Sequence, residues 1–599
     1  MKPNYIPTGN TQVSLPQINE QNAAIEDITF LHMGLKGLVD IRGDEQQPLM
    51  RPFVKIGRQE QPLTNLFWQR KGYWVPTFNA RCGALAVLGT ILAPVNERGF
   101  IYRLTYKNTS DTELTAQLGL VGRFASAWHC INEDKQLNGT KKGYHSNWNH
   151  SIVLDFTMGS ALFSLAPMAS REVYSDFTAA NDAIDYTLSC EITLKPAEEQ
   201  TLEFFWGIGF EEVASCTSAK EMLRQGWAYE YTRTLKWLKQ RAKDFNDDTL
   251  NQIYNLNLFF NLFYATGVTI DTEELVLVTS RSPLYYVSAA YWDRDSLLWS
   301  FPAVLNADEK HARAMLDYVF TRQIKNVGVH SRYIDGTVLE PGFELDELCA
   351  PVLALAAYFK ATGDAQYLKQ EHIVKGINHI LAVLEEKKHP SIHLYETFLQ
   401  PTDDMHIYRY LTYDNVLVWR ILKDISAMFA DILPQKLLCE LSAQADRVQH
   451  AIFAHCVKTE KGKRIFCWST DLDGHYDIYD EPPGSLQLLA FRGFCQQDDE
   501  VFQNTVELIR SGDYQYSFAG FPIAEIGCPH APHPWILSVA NSLILGRKEH
   551  CRDILSKTNM DNGIACESVN EVTGECETGA AFATCAGFLA YAIHYAYER

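Results

Sequence analysis

Apolar residues follow two different periods along this chain. From about residue 28 to 213 they recur at every second position. Tyr102, Leu104 and Tyr106 alternate with Arg103, Thr105 and Lys107, a turn follows at Asn108–Asp111, and Leu114, Ala116, Leu118 and Leu120 resume the alternation. Ile184, Tyr186, Leu188, Cys190, Ile192 and Leu194 repeat it until Pro196 closes the run. Period two bounded by turn signals marks half-buried antiparallel strands, and many such strands in succession predict a β-sandwich. The stretch before residue 28 has no period and reads as an irregular polar arm.

From about residue 246 the period lengthens to 3.6. Helices are predicted near 246–265, 293–305, 308–325, 344–361, 364–386, 412–430, 434–456, 483–495, 498–511, 532–546, 549–557 and 578–597. The fourth carries Leu345, Leu348, Val352, Leu355 and Phe359 on one face, and the seventh carries Leu437, Leu441, Val448 and Ile452. Helices that pair as successive hairpins predict an (α/α)6 barrel. An α-solenoid would show a sequence repeat of fixed period, and none is present. The segment 217–243, with Trp227, Tyr231, Leu235 and Leu238, reads as a linker helix. The expected organisation is an N-terminal β-sandwich over 1–215, a linker helix over 216–245 and a C-terminal (α/α)6-barrel catalytic domain over 246–599.

A chain of 599 residues is long enough for two or three domains. Its net charge of −20 argues against nucleic acid and anionic membrane surfaces as partners. The N-terminal residues lack the apolar core of a signal peptide, and no stretch reaches the roughly 18 apolar residues of a membrane span. The 14 cysteines are scattered singly, without C-x-x-C spacing, so neither a zinc site nor a disulfide framework is expected. A reducing cytoplasm fits this usage. No phosphate-binding glycine loop and no G-x-S-x-G elbow occur, and no cofactor or metal is expected.

The remaining signal lies at the starts of the even-numbered predicted helices. Trp292–Asp295, Glu344–Glu347, Asp403–Asp404, Asp480–Pro483, Pro529–His533 and Cys566–Ser568 concentrate acids, aromatics and imidazoles there. If every second helix starts with such a motif, the motifs meet on one face. A site of carboxylates, indoles and imidazoles suits sugar binding and cleavage, since glycoside hydrolysis needs two carboxyl groups.

Glu344, Asp346 and Glu347 are three acids where helix capping needs one. Neighbouring carboxylates and burial would keep one of them protonated as an acid. Glu567, isolated among small and apolar residues, is the other candidate, with a structural ion pair as its alternative role. Trp292 offers a stacking surface, and Arg294 and Asp295 a charged rim. Asp403 and Asp404 follow a proline and fit a turn. Asp480 and Glu481 precede two prolines and read as a solvated loop. His530 lies in a proline-fixed loop that could orient sugar hydroxyls. Asp471–Gly474 lacks the acid spacing of a calcium loop and reads as a turn.

These stretches resemble glycoside hydrolase family 125, the metal-independent exo-α-mannosidases. The similarity lies in Ala290–Ser296 (AYWDRDS), Phe343–Pro351 (FELDELCAP), Lys360–Asp364 (KATGD), Ile526–His530 (IGCPH), Gly563–Ser568 (GIACES) and the Thr578–Phe582 region. It spans roughly residues 280 to 599. The whole architecture looks more like bacterial family 15 (glucoamylase-like) and family 63 enzymes.

The family 125 resemblance implies an inverting mechanism with Asp346 as general acid and Glu567 as general base. Trp292, Arg294, Asp295, Glu344, Asp403, Asp404, Glu481 and His530 would then surround the terminal sugar. Two departures stand out. The family's serine after the acid is Glu347 here, and in family 15 a Gln-x-Asp-Glu motif at the similar place uses the glutamate as acid, which keeps Glu347 as an alternative. The family's Thr-Arg-Pro-Trp is replaced by Thr578–Ala581 (TGAA).

The expected activity is an inverting exo-α-glycosidase on small oligosaccharides, with α-mannose ahead of α-glucose. Inversion would set the two carboxyls about 6.5–9.5 Å apart. An inverting disaccharide phosphorylase and a non-catalytic carbohydrate-binding protein are the alternatives.

Overall fold

The computed structural model describes residues 4–180 and 182–598. Contacts divide the chain into two compact units. One comprises Met1–Ala242, Leu262–Val276 and Ser280–Ala289; the other comprises Lys243–Asn261, Leu277–Thr279 and Ala290–Arg599.

The first unit is built on three antiparallel sheets of six, eight and five strands. The alternation predicts its strands well. Gly99–Asn108 pairs with Glu199–Gly209, setting Tyr102 opposite Phe204 and Leu104 opposite Leu202, and all four side chains are buried. Leu114–Phe124 pairs with Ala183–Leu194, setting Leu120 opposite Leu188. Inward residues of all three sheets belong to one core, in which Phe156 stacks on Phe163 with centroids 5.3 Å apart. The buried tyrosines satisfy their hydroxyls on backbone carbonyls: Tyr102 donates to Ala23 and Tyr186 to Leu49, each at 2.6 Å.

Two expectations fail here. The predicted N-terminal arm is part of the core. Thr8–Gly9 and Ser14–Leu15 form strands of the six-stranded sheet, and Ile6, Val13, Leu15, Ile18 and Ile25 are buried. Their irregular spacing comes from short strands and turns, which carry no period. The predicted linker helix is two helices, Glu212–Gln225 and Trp227–Arg241, separated by Gly226 at φ +81. The first packs on strands Ser160–Ala169 and Glu199–Gly209.

The second unit is helical. Its helices start close to their predicted positions: Asp248–Tyr264, Glu309–Thr321, Leu345–Thr362, Thr412–Met428, Gln435–His455, Glu500–Arg510, Ile536–Ile544, Lys548–Lys557 and Ala583–Tyr597. Leu345–Thr362 ends on Gly363 in the left-handed conformation at φ +67, the usual glycine stop. The predicted helix 364–386 is broken into Ala365–Leu368 and Glu371–Glu386.

The expected helix at 483–495 is absent. Only short 3-10 turns, Pro482–Gly484 and Leu486–Leu488, occupy it. Ser485, extended at φ −67 and ψ 139, separates the two turns and breaks the helical backbone, although Leu486, Leu489 and Phe494 imitate helical spacing. The segment after Trp292 opens as a π turn, Arg294–Ser300, and continues as the α-helix Phe301–Ala307.

Leu345–Thr362 packs against the Arg294–Ser300 turn and against Thr412–Met428. Ala583–Tyr597 packs against the same turn and against Ile536–Ile544, which touches the 3-10 turns. Gly587 permits one of these approaches. A Cβ on it would lie 2.5 Å from Asn261 Oδ1 and 2.9 Å from Ser300 Cα. Overpacking of this kind costs about 1–3 kcal/mol, so Gly587→Ala lowers the midpoint of thermal unfolding. An unchanged midpoint would show that the helices can part without cost.

Candidate functional site

Arg294 is the hub of the acidic motifs. Its side chain is 1% exposed, and Nη1 donates to Glu344 Oε2 at 2.5 Å and to Asp346 Oδ2 at 3.1 Å. Nη2 donates to Asp403. Three acids on one guanidinium explain why so many carboxyls tolerate burial: each charge is paired and hydrogen-bonded. Arg294, expected on a rim, is therefore at the floor. Asp403 reaches it from a loop in which its own backbone is left-handed, at φ +68, a conformation that non-glycine residues adopt at some cost.

The hairpin Val329–Arg332 and Val338–Phe343 leads directly into Glu344. It adds two residues that no motif announced. His330 Nδ1 donates to Glu344 Oε1 at 2.5 Å. Burial works against a charged ring, but Glu340 and Glu344 outweigh it and raise the His330 pKa to about 10. Arg332, bridged to Tyr291 through the backbone, binds the Asp293 carboxylate and lies 3.4 Å from Glu347. The only sequence signal for this pair was their i, i+2 spacing on a strand.

Asp346 and Glu347 are neighbours with different fates. Glu347 accepts the backbone N–H groups of Asp293 at 2.5 Å and Arg294 at 2.9 Å, and so caps the Arg294–Ser300 turn. Both of its oxygens are committed to the backbone. Asp346, 1% exposed, meets Arg294 and its own helix's Glu347 N–H at 2.9 Å.

Glu567 is 4% exposed. His530 Nε2 lies 3.7 Å from Glu567 Oε1, and the other ring nitrogen of His530 donates to Asp404 at 3.0 Å. That hydrogen bond, with Glu567 nearby and burial opposing, raises the His530 pKa to about 9. Contacts thus run from Asp346 through Arg294 to Asp403, and from its neighbour Asp404 through His530 to Glu567. The two candidate catalytic carboxyls belong to one cluster.

Asp403 and Asp404 are 35% and 49% exposed and His530 is 28% exposed, so the cluster opens to solvent on that side. Trp292 is 3% exposed, with its indole edge-to-face on His330; it presents little ring for a sugar to stack on. Asp295 accepts from Thr584 at 2.8 Å, and burial, opposed by Arg294, raises its pKa to about 7.

Asp480 and Glu481 are not in a solvated loop. Both are 0% exposed. Glu481 accepts from the Thr402 backbone N–H and hydroxyl, each at 2.9 Å, and from the Tyr479 hydroxyl at 3.1 Å. Burial carries its pKa up to about 8 against those donors. Asp480 caps the turn at Ser485–Gln487. Asp471 accepts from the backbone of Asp473 and His475, a turn as expected.

His330, Glu344 and Asp403 place three donor atoms within 4.8 Å of one another. Arg294 binds both carboxylates of this set.

The stretch that carries Asp403, Glu481, His530 and Glu567 is also the one that matches a known family. Residues 390–593 match metal-independent alpha-mannosidase, GH125. The GH125 match stops short of Arg294 and Asp346. Among solved structures, a GH125 α-mannosidase from Streptococcus pneumoniae, in a non-productive complex with α-1,6-mannobiose, aligns with TM-score 0.53 at 19% identity. That alignment covers 61% of this chain and 97% of the other.

A bacterial glucoamylase complexed with acarbose aligns over 100% of this chain and 95% of its own, with TM-score 0.66 and 12% identity. A protein assigned as a kojibiose phosphorylase, from the human microbiome, aligns over 98% and 86%, with TM-score 0.63 and 11% identity. At these identities the likeness is one of fold, and it extends over the full chain. No curated protein sequence matches the chain. No helix among the described residues is long and apolar enough to cross a membrane.

Proposed function

We propose that this protein is an inverting exo-α-glycosidase that releases a terminal sugar, α-mannose ahead of α-glucose, from small oligosaccharides. The observation that carries the reading is the gathering of Asp346 and Glu567 into one cluster, within a chain that resembles GH125. Asp346 donates a proton to the leaving glycosidic oxygen as the bond to the anomeric carbon breaks. Glu567 takes a proton from a water that attacks from the opposite face. Glu347 is set aside as the acid because its oxygens hold the Asp293 and Arg294 backbone.

His330, Glu344, Asp403, Asp404 and His530 orient sugar hydroxyls, with the exposed rim admitting a chain end. The helix packing supports an (α/α)6 barrel whose inner layer runs from Arg294–Ala307 through Leu345–Thr362, Thr412–Met428, the irregular 482–493 segment and Ile536–Ile544 to Ala583–Tyr597. Residues 1–215 form the β-sandwich domain and 246–599 the barrel domain in this reading.

Proton NMR of the purified protein on α-1,6-mannobiose and isomaltose, with chelator and without phosphate, tests the proposal. The expected result is β-mannose as the first product, unaffected by chelator because Arg294 supplies the positive charge. α-Mannose first would exclude inversion. Cleavage that appears only with added phosphate would identify a phosphorylase, the reading suggested by the third structural relative.

A further inference from the structure

Arg510, Arg547 and His550 line a cavity of about 150 Å³ together with Glu525 and the loop 517–526. Arg510 ends the helix Glu500–Arg510, and Arg547 precedes the helix Lys548–Lys557. None of Arg294, Asp346, Asp403, His530 and Glu567 borders this space.

The donors here outnumber the acceptors. Glu525, 1% exposed, is the carboxylate of the cavity. Its Oε1 accepts from Ser542 at 2.6 Å and from His550 at 3.0 Å, and its Oε2 accepts from Ser538 at 2.6 Å and from Arg510 at 3.3 Å. A carboxylate offers about four lone-pair sites, so these partners occupy them all. Burial works against the charge on Glu525, yet Arg510, His550 and the two serines outweigh it and lower its pKa to about 2. Arg547 is left over. Its Nη1 is buried and has no hydrogen-bond acceptor among the described residues, and Glu525 Oε1 lies 4.0 Å away. Arg510 Nε is buried without an acceptor as well.

The charges are unequal in the same sense. Two guanidiniums and an imidazole meet one carboxylate, in a chain whose net charge is −20. Burial and the like charge of Arg510 lower the Arg547 pKa, with Glu525 opposing. Buried donors without acceptors and positive charge without a partner both cost free energy. One further anion carrying several acceptor oxygens would relieve both. The cavity has room for several water molecules, and so for a phosphate group, whose oxygens an arginine fork matches in pairs.

We propose that this cavity binds a phosphate group, held by Arg547 and Arg510 and walled by the loop 517–526. The group is inorganic phosphate or a phosphate carried by a sugar. No catalytic carboxyl borders the cavity, so the phosphate bound there is a ligand and not the attacking group of a phosphorylase. The proposal stands independently of the glycosidase reading.

The test follows the thermal unfolding midpoint of the full chain as inorganic phosphate is added, with chloride holding the ionic strength constant, and measures the affinity by isothermal titration calorimetry. A saturable rise is expected in the wild type. Arg547→Gln is expected to fold, because no hydrogen bond to Nη1 is lost, and to bind phosphate about tenfold more weakly or worse. Arg547→Lys keeps the charge but not the fork and falls between the two. A hexose phosphate run in parallel separates the sources: tighter binding than inorganic phosphate assigns the site to a sugar phosphate, and equal or weaker binding assigns it to the free anion. No rise in the wild type beyond that in chloride overturns the proposal, as does an equal rise in the wild type and Arg547→Gln.

Discussion

Replacing Asp346 by Asn, or Glu567 by Gln, lowers kcat by about two to four orders of magnitude, the usual worth of a general acid or base. The fold is retained in both. Asn keeps the shape of Asp346 and an oxygen for the Glu347 backbone N–H. In Glu567→Gln the amide, equal in size to the carboxylate, keeps its place beside His530. The two variants separate by leaving group: a substrate with an acidic leaving group, such as a nitrophenyl α-mannoside, needs little protonation and recovers much of the loss in Asp346→Asn. It recovers none in Glu567→Gln. Full turnover of the natural linkage in either variant would remove that residue from the mechanism. Equal recovery in both would leave their roles unassigned.

Replacing Arg294 by Leu has the largest expected effect on stability. It leaves Glu344, Asp346, Glu347 and Asp403 facing one another around a missing charge. Breaking a buried pair in this way costs about 3–5 kcal/mol. Burial already raises the pKa of Glu344 and Glu347, with Arg294 opposing, and loss of the guanidinium raises them further. For carboxyls whose folded pKa is raised, stability is fully present below the unfolded value, near 4.3, and is lost as pH rises through the folded value. The variant therefore melts earlier at neutral than at mildly acidic pH. A melting point that matches the wild type at both values would show that the acids are held by something other than Arg294. The Arg294→Lys variant restores charge without the fork that reaches Glu344 and Asp403 together, so it rescues only partly.

How much of this could be read from the residues depended on what each position answers to. Leu345, Leu348, Val352 and Leu355 face one core, so periodicity located their helix closely. Leu486, Leu489 and Phe494 show the same spacing, but the extended backbone at Ser485 divides the segment into short turns, and local conformation prevailed over pattern. Ile6, Val13 and Leu15 are buried by partners far along the chain, which no local period reports. The acids at helix starts were visible as a group. Their division of labour was not, since only tertiary contacts reveal that Glu347 holds the backbone of Asp293 and Arg294 while Asp346 meets the Arg294 side chain. Glu481 looked exposed beside its prolines because the donors that bury it come from Thr402.

The π turn at Arg294–Ser300 bears on any attempt to move this site elsewhere. A π turn is an α-helix that has taken in one residue too many, and each residue added advances the helical phase by about 100°. The chain before it and the helix Phe301–Ala307 after it are therefore out of step by that angle. Grafting Arg294, Asp346 and Glu567 onto a scaffold of regular helices would reproduce the residues and their order, yet aim the arginine a quarter-turn away from the acids it serves. The extra residue is therefore as much a part of the site as the side chains it aims.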